Sequence, residues 1–317
     1  MHSLIALVGP TAVGKSAIAV ELAEQLGAEI VSCDSMQVYK HMTVLSQAPS
    51  KGQRTRVPHH FVESVEPSES YSAGQYAKFA PHAIRQILAR GKKVIITGGT
   101  GLYLKALTEG LCDTPPADIT VRDRLWDECQ GVGAVRLHNR LRAIDESAAS
   151  KIHPNDARRI IRALEVYAIT GKPISAWWKE TVAEFSEGQV LVIGVNRDRE
   201  TLYTRINNRL LHMIYEEGVI NEVRDMLHLP LSKTARQVHG LADLEHYLAG
   251  RVSLKETITI WQSRVRHYAR RQLIWFRQTP HLHWVDLPEI EPPWETAANI
   301  VELIRRQSPS QHVAASL

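Results

Sequence analysis

The sequence predicts an α/β fold, a parallel sheet built around a phosphate-binding loop, with a helical insertion and C-terminal helices. Three observations carry this. Apolar runs ending in turn or polar residues recur at "SLIALV" (3–8), "AEIVSC" (28–33), "KKVIIT" and "QVLVIGV" (189–195). Helical patterns separate them, the arrangement of a parallel sheet covered on both faces. The gap between the third and fourth runs is too long for one crossover and holds at least three helical patterns.

Taken in order, the first run ends at "GPTAVGKS" (9–16), an ungapped match to G-x-x-x-x-G-K-[ST] placed between a strand and the helical stretch "AIAVELAEQL". The loop comprises Gly9, Pro10, Thr11, Ala12, Val13, Gly14, Lys15 and Ser16. Its glycines let successive N–H groups point at an anion, and the next helix adds positive potential. Lys15 supplies a mobile charge to terminal phosphate oxygens, and the Ser16 hydroxyl can join a Mg²⁺ shell. The core is therefore P-loop NTPase-like, and the motif specifies a di- or triphosphate without specifying a nucleotide.

The second run leads into "CDSMQVYK". In a doubly wound sheet the carboxyl ends of the strands overlook the ligand, which puts Asp34 beside the phosphates. Three readings stand open: a Mg²⁺ ligand, a general base, or a cap in which "DSMQ" pairs Asp34 with Gln37. Ser35 and Gln37 add a hydroxyl and an amide, and an amide can read a base edge. "SAGQYAKFAPHAIRQILARG" (72–91) follows as a helix with Ser72 at its N-cap and Gly91 at its end. The third run ends in Gly98, Gly99, Thr100 and Gly101, where a P-loop hydrolase would carry an acid. Thr100 either presents its hydroxyl to the crevice or caps the next helix.

The insertion opens at "DTPPAD" and runs over 113–188 through "VRDRLWDECQ", "AVRLHNRLRAID" and "DARRIIRALEVYAIT" to the turn "GKPIS". Asn155 is the expected cap of the last of these helices. The core is thus expected in two parts, 1–112 and 189–306. Its second part carries long helices over 200–228 and 254–278, and the polar tail 307–317 reads as disordered. In "RINNRLL", Arg205 and Arg209 fall at i and i+4, facing the diphosphate or RNA. In "RVRHYARRQLIWFR", the rings of Tyr268, Trp275 and Phe276 read as core, with some arginines on RNA phosphates.

Bulk properties bound the class. The 317 residues are 44% hydrophobic, enough for a substantial core, and the formal net charge of +4 suits an anionic partner or RNA. Three separated cysteines form no C-x-x-C pair, which argues against a cysteine zinc site or disulfide scaffold and for a reducing compartment. No apolar run reaches membrane length and no signal peptide is recognisable, so a cytoplasmic enzyme is expected, with no membrane association and a monomer as the default.

Together "GPTAVGKS", "DSMQVYK", "GGTGLYLKAL", "IHPNDARRIIRALEV" and "RRQLIWFR" occur in an order that closely resembles the bacterial tRNA dimethylallyltransferase (tRNA isopentenyltransferase) family, from Leu4 to about Arg277. The resemblance implies a P-loop that grips dimethylallyl diphosphate, and transfer of the isoprenoid to N6 of adenosine 37, 3′ to the anticodon of tRNA. It implies Asp34 as general base, with Thr100 and Lys15 also catalytic. Ser35, Met36 and Gln37 would line the target base, and Mg²⁺ on Ser16 would assist the departing diphosphate. Further tRNA contacts are implied at Arg122 and at Arg158, Arg159, Ile160, Ile161 and Arg162, and the target base would leave its stack in the anticodon stem-loop. One departure is sharp: in "TARQVHGLADLEHYL" (234–248) the family's Tyr-Lys-Glu element is gone, so no role transfers to 237–245. The competing class is an ATP-dependent nucleotide or nucleoside kinase, which leaves "DSMQVY" and the missing acid unexplained. An RNA-binding protein without transfer chemistry suits the basic helices but leaves Asp34 idle.

Overall fold

Five consecutive apolar residues with no charge among them form a strand only where both faces are covered. β1 (Leu4–Val8) meets that condition, every residue being buried. A computed structural model of the chain describes residues 2–185 and 188–307, which fall into two compact units, Met1–Thr108 with Phe185–Leu317, and Glu109–Glu184. The second unit begins and ends four residues before the bounds 113 and 188 read from the sequence. Of the tail 307–317, Gln307 ends the last helix and the rest lies outside the described residues.

In the first unit β1 leads through the phosphate loop into α1 (Lys15–Leu26), which stops where Gly27 takes the left-handed conformation at φ 62°. β2 (Ala28–Ser32) follows, then α2 (Lys51–Arg56), the two-residue β3 (His59–His60) and α3 (Ala73–Ala89). Ser72 caps α3 through a reciprocal capping box with Gln75. β4 (Lys93–Gly98) then enters α4 (Gly101–Thr108).

The second unit is all helical: α5 (Ile119–Val132), α6 (Ala134–Ile144), α7 (Glu146–Lys151), α8 (Ala157–Thr170) and α9 (Ile174–Lys179). Its core gathers Leu125, Leu137, Leu141, Ile160, Ile161 and Leu164. Asp156, not Asn155, caps α8, accepting from the Arg159 N–H at 3.1 Å. A two-carbon spacing from the backbone suits both residues, and the chain turns one position later than the sequence suggested.

The first unit resumes with β5 (Val190–Asn196), α10 (Arg199–Tyr215), α11 (Val219–Met226), α12 (Leu241–Leu248), α13 (Leu254–Phe276), β6 (His283–Asp286) and α14 (Pro293–Gln307). The single helix expected over 200–228 is two. Gly218, left-handed at φ 76°, separates α10 from α11 and starts the second in a new direction. The six strands are all parallel in the order β3-β2-β4-β1-β5-β6. The chain leaves β1 towards one edge and leaves β4 towards the other, so the crevice beyond their carboxyl ends is a topological switch point.

One polar group organises the second unit. Glu165 is 0% exposed and its carboxylate accepts from the Asp118 N–H at 3.0 Å, Arg122 Nη2 at 2.6 Å and Arg162 Nη1 at 2.8 Å. Its removal leaves the Asp118 N–H without its acceptor and the partly exposed Arg122 and Arg162 without their shared partner, at a cost of about 1–3 kcal/mol. Glu165→Ala should therefore destabilise this unit by about that amount, seen as faster amide exchange across α5 and α8, with the exchange of β1 and β4 unchanged.

Candidate active site

The phosphate loop, Asp34 and Gln37 share a cavity of about 560 Å³ at the carboxyl ends of β1, β2 and β4. Its floor is the phosphate loop. Gly9 (φ 148°) lies against the Val195 carbonyl, where a Cβ would collide, and Gly14 takes φ 116°. Ala12 sits at φ 63°, a conformation unusual for a residue with a Cβ. Two arginines hold the loop's outward carbonyls: Arg205 Nε donates to Ala12 at 2.9 Å and Arg197 Nε to Val13 at 3.1 Å. Lys15 folds back so that its ammonium donates to the Pro10 carbonyl at 2.7 Å. Ser16 lines the same cavity.

The opposite wall begins at the end of β2. Asp34 Oδ1 accepts the N–H groups of Met36 at 2.9 Å and Gln37 at 3.4 Å. The capping geometry that the sequence suggested is thus present, but it closes a turn and no helix follows. Oδ2 has no protein donor among the described residues. Asp34 keeps some surface on the cavity yet is surrounded by protein, and burial raises its pKa against the pull of those two N–H groups and of Lys15. The same burial lowers Lys15 to about 8, partly offset by Asp34.

Met36 and Gln37 line the cavity with Asp34. The Gln37 carboxamide is engaged, accepting from Ser32 Oγ at 3.1 Å and donating to the Gln47 carbonyl at 3.1 Å. Ser35 and Thr100 are not on the cavity wall. The Thr100 hydroxyl accepts the Ser35 N–H at 3.0 Å and donates to Ser35 Oγ at 3.3 Å, stitching the end of β2 to the turn after β4. Cys33, between them, is buried, and its thiol is pushed up to about 12 by that burial.

The far wall contains residues the sequence reading passed over. Val238 and His239, from the divergent segment, line the cavity with Trp261, Val265, Tyr268 and Gln272 of α13. Burial lowers the pKa of His239, with Arg271 and Arg264 acting in the same direction. Its ring lies 4.4 Å from that of Tyr268. Of the three α13 rings read as core, Phe276 is core, Trp275 is half-buried and Tyr268 faces the cavity. Arg205 and Arg209 also reach the wall, with Arg209 paired to Glu217 at 2.9 Å.

In the second unit the basic run divides. Arg158 and Arg159 are exposed, the latter 3.4 Å from Asp156. Arg122 and Arg162 instead turn onto Glu165, and Arg162 Nη2 also donates to Thr114 and Pro115. Ile160 and Ile161 are 0% and 1% exposed within the unit's core. This corrects their expected place among RNA-contacting side chains, because apolar groups packed inside the unit present no surface to a ligand.

A phosphate loop facing a carboxylate across one cavity, with no acid after β4, is the layout of a P-loop-fold transferase. Residues 37–279 match the family model described as IPP transferase. The "tRNA dimethylallyltransferase" of Geobacter metallireducens is 42% identical over 287 residues, 90% of this chain and 93% of that protein. That of Syntrophobacter fumaroxidans is 40% identical over 311 residues, 98% and 89% of the two. A crystal structure of a tRNA isopentenylpyrophosphate transferase from Bacillus halodurans superposes with a TM-score of 0.70 at 34% identity, covering 96% of each chain. A eukaryotic dimethylallyltransferase studied acting on tRNA gives a TM-score of 0.80 at 27% identity, over 98% of this chain and 82% of that one. The chain belongs to the IPP transferase family.

Lys15 must be charged to attract an anion, so affinity for inorganic diphosphate should fall as pH rises through about 8. Calorimetric titrations from pH 6.5 to 9.5 check this: Lys15→Met should bind weakly and lose the step near pH 8.

Proposed function

We propose that this protein transfers a dimethylallyl group from dimethylallyl diphosphate to N6 of adenosine 37, next to the anticodon of tRNA, releasing diphosphate. The observation that carries this is the placing, in one cavity, of Lys15 and other phosphate-loop residues with Asp34, whose Oδ2 has no protein donor among the described residues. Family membership supports it and sets the ATP-dependent kinase aside.

The chemistry follows from the two walls. An exocyclic amine is a weak nucleophile because its lone pair is delocalised into the ring. Asp34 Oδ2 takes the N–H proton as the nitrogen attacks the allylic C1, and its raised pKa strengthens it as a base near neutral pH. The C1–O bond breaks, its electron pair leaving with diphosphate, and Lys15 leaves the Pro10 carbonyl to meet the new charge. Mg²⁺ fits this cavity in the way it suits P-loop sites. The Ser16 hydroxyl has no protein hydrogen-bond partner among the described residues, and an ion held by one hydroxyl, water and phosphate oxygens needs no protein cage. When bound, Mg²⁺ supplies neutralising charge to the diphosphate.

Thr100 acts by fixing Ser35 beside Asp34. Met36 and Gln37 border the space left for the base. Arg158 and Arg159 offer exposed charge to tRNA phosphates, and the helical segment 113–188 is the proposed tRNA-gripping domain. Arg122 and Arg162 support that surface through Glu165. Among the described residues no helix is long and apolar enough to cross a membrane. We take the enzyme to work as a cytoplasmic monomer.

Incubation with Mg²⁺, unmodified tRNA and either labelled dimethylallyl diphosphate or γ-labelled ATP tests the reaction. Isoprenoid label should enter tRNA and ATP label should enter nothing; an intact protein that leaves the tRNA unlabelled refutes the proposal. Asp34→Asn, which preserves the acceptor for Met36 and Gln37, should lower kcat by about 10²–10⁴-fold with diphosphate affinity little changed. Equal loss of both would identify a metal ligand instead.

A further inference from the structure

Gln272 joins the two walls of the cavity. It stands on α13, 5% exposed, and both ends of its carboxamide are used. Oε1 accepts the Thr11 N–H of the phosphate loop at 2.8 Å, and Nε2 donates to the Gly99 carbonyl at 2.9 Å. These are contacts across 261 and 173 residues of chain, so no local rule creates them.

The turn after β4 is shaped to receive this helix. A Cβ on Gly99 would collide with Gln272 Nε2, and a Cβ on Gly101 would collide with the Trp275 indole, one turn further along α13. Between those glycines lies Thr100, whose hydroxyl holds the Ser35 N–H next to Asp34. The Thr100 N–H donates to the Cys33 carbonyl at 3.1 Å, adding a second tie to the same strand end. A continuous path therefore runs from Thr11 through Gln272, Gly99 and Thr100 to Asp34. One turn before Gln272, Tyr268 lines the cavity, and its hydroxyl lies near enough to Asp34 and Gln272 for both to influence its titration.

We propose that Gln272 is a positioning residue that fixes the spacing between the diphosphate-binding loop and the acceptor site, so that the allylic carbon is captured by the amine and not by water. The inference rests on the transfer reaction proposed above. In transfer, C1–O breaks with its electrons going to diphosphate, C1–N forms from the amine lone pair, and the N–H proton passes to Asp34. In the side reaction a water oxygen attacks C1 in place of nitrogen and gives dimethylallyl alcohol, its proton passing to the same carboxylate or to solvent. A displacement of about 1 Å between reacting groups costs on the order of 10² in rate, while water, being mobile, needs no alignment.

The test compares Gln272→Met, similar in volume without either hydrogen bond, with Gln272→Glu, which keeps the acceptor for Thr11 and opposes a carboxylate to the Gly99 carbonyl. Each variant is assayed with labelled dimethylallyl diphosphate and unmodified tRNA, counting both modified tRNA and free alcohol. The transfer kcat should fall on the order of 10²-fold and the ratio of alcohol to modified tRNA should rise, with affinity for inorganic diphosphate near that of the parent enzyme. A parent-like kcat in both variants overturns the proposal, and so does a fall in kcat with an unchanged product ratio, which would mark a purely structural residue. Should Gln272→Met lose diphosphate binding, the ratio in Gln272→Glu decides by the same criterion. A parent enzyme that modifies no tRNA would refute the transfer reaction itself, an outcome separate from these.

Discussion

The close approach of two parallel strands at their carboxyl ends is the constraint on which the site depends. Gly98 ends β4 where a Cβ would collide with the Cys33 backbone, and Cys33 N–H donates to the Thr97 carbonyl at 2.7 Å. A side chain there would force β2 and β4 apart. The turn carrying Thr100 could then no longer reach Ser35, and Asp34 would lose the frame that aims it across the phosphate loop. The absence of one methyl group at Gly98 thus bears on the placement of Asp34 through backbone spacing alone.

Electrostatics act on top of this frame. Lys15 and Asp34 share a cavity and are each surrounded by protein, so each is displaced towards its neutral form by burial and drawn back by the other. A charged pair at the surface would sit nearer its ordinary values. His239 and Tyr268 add two neighbouring rings to the far wall, while Arg205 and Arg209 bring further positive charge to the cavity.

Much of this was legible in the sequence. The four central strands, the phosphate loop and the long helices follow from apolar periodicity and a motif whose mechanism is local. The edge strands β3 and β6 were not, because two and four residues carry too little pattern to stand out. Gly218 was hidden inside an otherwise helical run. At the site, Asp34 could be read because strand ends face ligands. Gln272 could not, since its partners lie far away in the chain and a lone glutamine on a helix advertises nothing. Family likeness, carried as a run of residues, swept in Ile160 and Ile161, which belong to the core of their helix, together with Arg158 and Arg159, which face outward.

The Lys15–Pro10 contact has a consequence for selectivity. The ammonium gives one of its three N–H donors to a carbonyl, so an anion that draws it away must replace that bond as well as add its own charge. Binding is then an exchange, and its net gain grows with how far the ligand's charge exceeds that of a neutral carbonyl oxygen. Weakly charged or single-site anions gain little from the trade. A diphosphate, which can engage the lysine and several loop amides at once, crosses that threshold.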